Sequence, residues 1–245
     1  MSKNMSQMAN TQPVEKGKRG RPALHKGVRV ERKTQEERRS EAEAKLLDAA
    51  REIVARKGWV GMTLGDVGIA AGYSRGIATH YFGSKTELLR SLSVKIGQNF
   101  MEGFMATPRQ PGFNTIVDFI TFYLCRDRET GWSNTRALLI LMAEGTTDDS
   151  GVGANLVRYN LTIIAFLAEH FAHAMAVNEI LTDVAPNEAA IALLGTVRGI
   201  LLQKLLKDSA IDLDQVNRAV LITTIRAFAK RPDTWLNKLD LIQPH

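Results

Sequence analysis

The sequence predicts an all-α protein of about nine helices, and three observations support this prediction. Apolar residues recur every three or four positions through most of the chain after residue 34, which places them on one face of a helix. Several of these segments begin with a hydroxyl residue that is followed three positions later by an acidic one. No segment alternates apolar and polar residues as a half-buried strand does.

Capping residues and helix breakers indicate where the helices begin and end. A Ser or Thr side chain accepts backbone N–H bonds at the start of a helix, whereas Gly lies just past its end and Pro just inside its start. Thr34, Thr63, Ser74 and Ser84 are the caps expected for the first four helices. The predicted helices cover about residues 35–57, 63–71, 74–81, 84–104, 113–128, 134–144, 154–178, 186–207 and 212–231.

Positive charge is concentrated toward the N-terminus. Residues 1–90 carry 18 Lys and Arg against 10 Asp and Glu, whereas the remaining residues have a net charge of −2. This asymmetry points to a polyanion partner for that end, most often nucleic acid. A merely solvated basic tail is the alternative that charge leaves open.

Composition also excludes several classes of protein. A single cysteine, Cys125, rules out an internal disulfide framework and a cysteine-based zinc site. No apolar run reaches the roughly 18 residues of a membrane span, so we expect a cytoplasmic protein without membrane contact. No nucleophile motif is present, and His170 and His173 lack a third metal ligand. We therefore expect no catalytic residues, no cofactor and no metal.

The second and third predicted helices have the form of a DNA-binding motif. They are short, they follow a longer first helix, and the turn at residues 72–74 contains a glycine. This is the helix-turn-helix pattern. The second helix of such a pair lies in the major groove of DNA, with its N-terminal residues against the base edges.

The run GYSRGIATHYFGSKTELL at residues 72–89 resembles the signature of the tetracycline-repressor (TetR) family, and the similarity extends over about residues 44–92. The family often carries a tyrosine where this chain has Thr79. The resemblance implies a dimeric, ligand-responsive DNA-binding regulator. It places phosphate contacts at Tyr81 and Lys85.

The side chains of this segment suit both base and phosphate contacts. Arg75 can pair with guanine and Thr79 can touch a thymine methyl group. Gly76 would permit close approach to DNA, and Thr63 lies at a helix N-terminus that favours an anion. The candidate DNA-binding residues of the motif are Thr63, Ser74, Arg75, Gly76, Thr79, His80, Tyr81 and Lys85.

A basic arm precedes the motif. Its segment GKRGRP at residues 17–22 resembles an AT-hook core, in which Arg19 and Arg21 would lie in a narrow A·T minor groove. The alternative is a solvated tail that adds only non-specific attraction to phosphate.

The helices over residues 113–178 are rich in aromatic side chains, as small-molecule pockets are. Arg136, Asn160, His170 and His173 are candidate polar groups of such a pocket. Ordinary core packing is the alternative for many of these residues. The candidate ligand-binding residues are Phe119, Tyr123, Trp132, Arg136, Leu139, Phe166 and His170.

The last predicted helices resemble an assembly surface. One helical face is shared by Ile191, Leu194, Val197, Leu201 and Leu205, and Gly195 and Gly199 lie four residues apart on the same helix. Each glycine inside a helix costs about 1 kcal/mol relative to alanine, so close packing is expected around them. The family pairs such helices in a homodimer, and packing within one chain is the alternative.

The expected organisation is a disordered basic arm at 1–33, a helix-turn-helix domain at 34–83, a helical effector-binding and dimerisation domain at 84–233, and a tail at 234–245. The partners expected are double-stranded DNA, a small, largely apolar effector and a second copy of the chain. Two other functions stay open. An architectural DNA-binding protein would have a tightly filled C-terminal core, and a helical enzyme would need a catalytic constellation that we do not find.

Overall fold

The computed structural model describes residues 34–146, 152–207 and 209–242, with side chains as far as residue 239. Ten helices and no strand lie in this part of the chain, which confirms the all-α prediction. The helices are α1 Gln35–Lys57, α2 Leu64–Ala70, α3 Ile77–Phe82, α4 Lys85–Met105, α5 Phe113–Cys125, α6 Ser133–Glu144, α7 Val152–Ala176, α8 Pro186–Lys204, α9 Leu213–Phe228 and α10 Pro232–Ile242. None of the helices described is long and apolar enough to cross a membrane.

The capping predictions hold for α1 and α2 and fail in part for the next two helices. Thr34 and Thr63 each form both hydrogen bonds of a capping box. Ser84 accepts the backbone N–H of Glu87 at 3.2 Å, but the Glu87 carboxylate pairs with Arg90 instead of completing the box. Helix α3 begins at residue 77 with no side-chain cap, because Ser74 belongs to the preceding turn.

Helix α10 corrects the prediction of a tail at 234–245. Pro232 starts this helix, and Trp235 is buried against Phe113, with the ring centroids 5.0 Å apart and the planes nearly perpendicular. The apolar pattern of α10 is too short to stand out in the sequence. Its stability comes from a partner that lies more than 100 residues away in the chain, as is usual for short helices.

A single apolar core runs through the described residues, and α4 passes through it from end to end. The inward face of α4 is fully buried along its length. It consists of Leu88, Leu89, Leu92, Ile96, Phe100 and Phe104. The first three residues pack among the helices of the N-terminal motif, and Phe100 and Phe104 pack among the aromatic residues of α5 and α7. Helix α4 therefore joins the two parts of the chain mechanically.

The connection between α5 and α6 is held by Asp127, whose side chain is almost fully buried. Its carboxylate accepts hydrogen bonds from the Asn134 side chain at 2.9 Å and from the backbone N–H of Thr135 at 2.7 Å. It thereby caps α6, because Trp132, at the end of the turn, adopts a left-handed conformation and provides no side-chain cap. Burial alone would raise the pKa of Asp127, but the hydrogen bonds from Thr130, Thr135 and Asn134 outweigh it and lower the pKa.

We expect Asp127→Asn to lower the free energy of unfolding by about 1–3 kcal/mol at neutral pH, because it leaves buried donors unpaired. A carboxylate whose pKa is lowered in the folded protein stabilises the fold at a pH above its pKa in the unfolded chain, which is about 3.9. This stabilisation is lost as the pH falls through the pKa of the folded protein. The difference between the two proteins in urea unfolding should therefore shrink below about pH 4. If the difference in unfolding free energy between the two proteins stays constant from neutral to acidic pH, the Asp127 carboxylate does not stabilise the fold in its ionised form.

Candidate nucleic-acid interface and interior sites

The turn of the helix-turn-helix motif is fixed by two glycines. Gly72 has a φ of +81°, a left-handed conformation that glycine adopts without strain. The backbone N–H of Tyr73 then donates to the carbonyl oxygen of Gly68 at 2.9 Å. A Cβ at Gly68 would lie 2.5 Å from the carbonyl oxygen of Ser74, so only glycine allows the turn to pack on α2 at this point.

Most of the predicted DNA-binding residues of the motif are exposed. Thr63, Ser74, Arg75, Gly76, Thr79 and His80 are exposed, whereas Tyr81 and Lys85 are half-buried. Arg75 lies in the turn and not on α3 itself, which differs from the sequence prediction. Its side chain passes the start of α2, with Cβ and Cγ each 3.9 Å from the position of a Cβ on Gly65.

Thr63 is already engaged within the motif. Its hydroxyl accepts the backbone N–H of Asp66 at 3.1 Å and donates to the Asp66 carboxylate at 2.7 Å. The Asp66 carboxylate accepts hydrogen bonds from the hydroxyl and from the backbone N–H of Thr63, and these bonds, with a smaller contribution from Arg75, lower the pKa of Asp66. A phosphate contact by the Thr63 hydroxyl therefore requires the capping box to open.

Lys85 links α4 to the connection between α1 and α2. Its Nζ donates to the carbonyl oxygen of Val60 at 2.9 Å and lies 5.5 Å from the centroid of the Trp59 ring. The ammonium group thus stays at the surface at the first residue of α4. Any movement of this end of α4 therefore moves this charge.

A basic groove beside α3 was missed by the sequence analysis. It has a volume of about 270 Å³ and lies between the start of α1 and the end of α3. Its lining consists of Gln35, Arg38, Arg39, His80 and Tyr81. The pair Arg38–Arg39 directly after the basic arm was the signal available, but its proximity to Tyr81 depends on how α1 packs against the motif. Arg19 and Arg21 of the arm lie outside the described residues.

The predicted ligand-binding residues do not form one pocket, which corrects the sequence interpretation. Phe119 and Tyr123 are packed in the aromatic core. Arg136 and Leu139 line a groove of about 340 Å³ that also includes residues of α1 and α8. Trp132 lies in the turn before α6. Helical spacing predicted the burial of Phe119 and Tyr123, but it could not predict which helical faces meet.

Phe166 and His170 form a third group at the start of α5. Their rings lie 4.6 Å apart, and Nδ1 of His170 accepts the backbone N–H of Gly112 at 3.2 Å. Burial lowers the pKa of His170, with opposing effects from Glu169 and His173. The imidazole is therefore occupied by a structural hydrogen bond to the backbone.

A buried polar cluster surrounds Arg198 of α8, a residue that the sequence analysis did not select. Its Nε donates to the Tyr123 hydroxyl at 3.1 Å, and its Nη1 donates to the Asn160 side-chain oxygen. The Tyr159 hydroxyl lies in the same region and is buried. The signal available in the sequence was that Arg198 lies next to the apolar residues of the buried face of α8.

Comparison with known proteins agrees with the geometry of the motif. Residues 46–92 match the model of a family described as bacterial regulatory proteins, tetR family. Over these residues the chain carries the N-terminal motif of that family. The match lies on the helix-turn-helix motif, a DNA-binding motif that bacterial transcriptional regulators carry.

A curated relative matches the motif, and solved structures extend the likeness of fold to about three quarters of the chain. The HTH-type transcriptional regulator CymR of Pseudomonas putida is 47% identical over 58 residues, which are 24% of this chain and 29% of CymR. Salmonella enterica GusR is 25% identical with a TM-score of 0.60, over 75% of this chain and 94% of GusR. NalD of Pseudomonas aeruginosa, a repressor of a multidrug efflux pump, shares the fold with 18% identity and a TM-score of 0.60, over 78% of this chain and 97% of NalD.

The exposed position of Arg75 leads to a first prediction about DNA. Arg75→Ala should weaken binding to a DNA site selected from a random pool by about 1–3 kcal/mol and relax the preference at one base pair of each half-site. Lys85→Ala should weaken binding to all DNA sequences alike. It should also reduce the slope of the logarithm of affinity against the logarithm of salt concentration by about one unit. Titration at several salt concentrations measures both. If Arg75→Ala keeps full affinity and selectivity, the turn does not read bases.

Proposed function

We propose that the chain is a repressor that binds a palindromic operator as a homodimer and is released by a small, largely apolar effector. The observation that carries this proposal is the TetR-family motif with an exposed turn and α3, attached through α4 to a larger helical part. NalD and SmeT, which have the same fold, are each described as repressors of multidrug efflux pumps. The proposed division into an arm at 1–33, a motif at 34–83 and an effector part from residue 84 follows this arrangement.

The proposed DNA contacts fall into two classes. Arg75 and Thr79 are exposed where the motif meets the major groove, so they are proposed to read bases. Tyr81 and Lys85 are proposed to hold phosphates and fix the register. The groove with Arg38 and Arg39 adds positive charge next to Tyr81, which favours a further phosphate contact.

The proposed dimer interface lies on α8 and α9, on a face that only partly matches the one expected. Leu194, Val197 and Leu201 are buried within the chain, so this part of the face predicted from the sequence belongs to the core. Ile191 of the expected face is exposed, and the other outward-facing positions follow the buried leucines by one residue. The stripe consists of the exposed Ile191, Gly195 and Leu202, the half-buried Gly199, and Leu206 just after the end of α8.

The two glycines of this stripe support the homodimer. A Cβ on Gly195 or Gly199 would meet no atom of the described residues within 4 Å. Packing within the chain therefore gives no reason for glycines that each cost about 1 kcal/mol relative to alanine inside a helix. Close approach of a second copy of the chain to these glycines would give such a reason. The adjoining groove of about 390 Å³ between α8 and α9 is largely apolar and continues this surface.

The architectural DNA-binding function is the second candidate, and one observation favours it. Phe119 and Tyr123, which were expected to line a pocket, are buried in a packed aromatic cluster. A protein without an effector would have such a filled core. Selection of bound DNA from a random pool, followed by a thermal-shift screen of small molecules with and without the selected operator, separates the two functions. A palindromic site and a ligand that binds less tightly to the operator complex support the repressor.

Deletion of residues 1–33 removes nine basic and two acidic residues, a net charge of +7. We expect weaker binding to the operator and a shallower salt dependence, because fewer counterions are released. If the arm enters the minor groove, the loss should be larger for A·T-rich than for G·C-rich flanking DNA. Equal losses on both sequences leave only non-specific attraction.

Leu202→Glu should convert the dimer into a folded monomer. In one chain this side chain is half exposed, but a dimer would place two carboxylates in a shared apolar interface. Light scattering gives the mass, and circular dichroism confirms folding. Met105→Glu, which adds the same charge at an exposed apolar residue of α4, is the matched control and should stay dimeric. A Leu202→Glu protein that stays dimeric places the interface elsewhere.

A further inference from the structure

Arg198 presents an unusual combination of burial and missing partners. Its Nε and Nη1 donate to neutral oxygens of Tyr123 and Asn160, while its Nη2 is buried and has no hydrogen-bond partner. None of the ion pairs formed among the described residues includes Arg198. The residue as a whole is half-buried, but an N–H that is shielded from water without an acceptor is costly, so the unfilled Nη2 points to a missing anionic group.

The surrounding groups add donors and no negative charge. The Tyr159 hydroxyl is buried without a partner of hydrogen-bonding geometry. Burial raises the pKa of Tyr159, with a smaller effect from Tyr123, so the hydroxyl stays protonated and can donate. Arg126 lies nearby, with its guanidinium 4.5 Å from the centroid of the Phe100 ring, and favours negative charge.

Aromatic rings enclose this cluster. Phe100 is in contact with the rings of Phe122, Tyr123 and Tyr159, with centroid separations between 5.2 and 6.3 Å. These rings suit the apolar body of a ligand, as in other small-molecule sites. The complete site thus combines one anion-binding end with apolar walls.

Tyr159 also forms the wall of a groove that opens to the surface. The groove has a volume of about 260 Å³ and runs between α4 and α7, past Gly97 and Met101. A Cβ on Gly97 would lie 2.8 Å from Cδ2 of the Tyr159 ring, so this ring rests directly on α4. A ligand that moves from the groove toward Arg198 has to displace the ring.

We propose that Arg198, with Tyr123, Tyr159 and Asn160, binds the carboxylate of an apolar monocarboxylic acid that enters through the groove between α4 and α7. Displacement of the Tyr159 ring from Gly97 then shifts α4 and weakens operator binding. The inference rests on the proposed effector response and names the chemistry and place of the effector. Arg198 takes the role that the sequence suggested for Arg136, namely binding the acidic group of the effector, because Arg136 lines the separate groove beside α1.

The test compares acids with their neutral amides on the full-length dimer. Octanoate and 3-phenylpropionate, at millimolar concentration, should raise the melting temperature and weaken operator binding, whereas octanamide and 3-phenylpropionamide should do neither. Arg198→Gln should lower the affinity for the effective acid by about ten- to a hundredfold, as expected for a charge-assisted hydrogen bond. Arg198→Lys should restore part of this affinity. Arg226→Gln, which removes an exposed arginine of α9, is the matched control and should keep the response.

Tyr159→Phe keeps the ring on Gly97 and removes only the hydroxyl, so it tests the site if Arg198→Gln fails to fold. It should bind the acid more weakly and keep its operator affinity without ligand. The proposal is overturned if no acid of the panel binds, if the amides bind as well as the acids, or if Arg136→Gln and not Arg198→Gln removes binding. If acids bind through Arg198 without weakening the operator complex, the site stands and the effector response fails. If amides release the operator, the response stands and the acid site fails.

Discussion

The packing of α4 is the constraint on which the rest of the structure depends. Its buried face supports the helix-turn-helix motif at one end through Leu88, Leu89 and Leu92, and the aromatic core at the other end through Phe100 and Phe104. Because protein cores are close-packed, such a helix moves as a unit and not by gradual deformation. The surface charge of Lys85 and the contact of Tyr159 with Gly97 lie on the same helix. An event in the aromatic core is therefore connected to the DNA-binding surface by one rigid element.

The local features of the motif could be predicted from the sequence because their causes are local. The capping boxes of Thr34 and Thr63 depend on residues three positions apart, and both formed as expected. The turn after α2 depends on Gly72, whose conformation follows from its missing side chain. The start of α3 was placed too early, since Ser74 is held in the turn against Gly68, and that contact cannot be read from spacing.

The interior site could not be predicted in the same way because it depends on which helical faces meet. Periodicity indicated that Tyr123 and Leu201 are apolar-face residues, but not whether a pocket, a core or a second chain covers them. On α8, Ile191 of the predicted face is exposed, but Leu194 and Leu201 are buried, and the exposed Gly195 and Leu202 follow them by one position, a rotation of about 100° around the helix. Asn160 could be selected from the sequence as a candidate polar group, whereas its partner Arg198 became evident only from the packing of α7 and α8.

The most direct test of the coupling through α4 is the distance between the two DNA-binding motifs of one dimer. A spin label at Ala44→Cys, an exposed residue of α1, in a Cys125→Ser background measures it by pulsed electron paramagnetic resonance. The account predicts one narrow distance distribution on the selected operator and a different one when a stabilising acid is bound without DNA. The same distribution in both states would show that the ligand site and the DNA-binding motifs are not coupled.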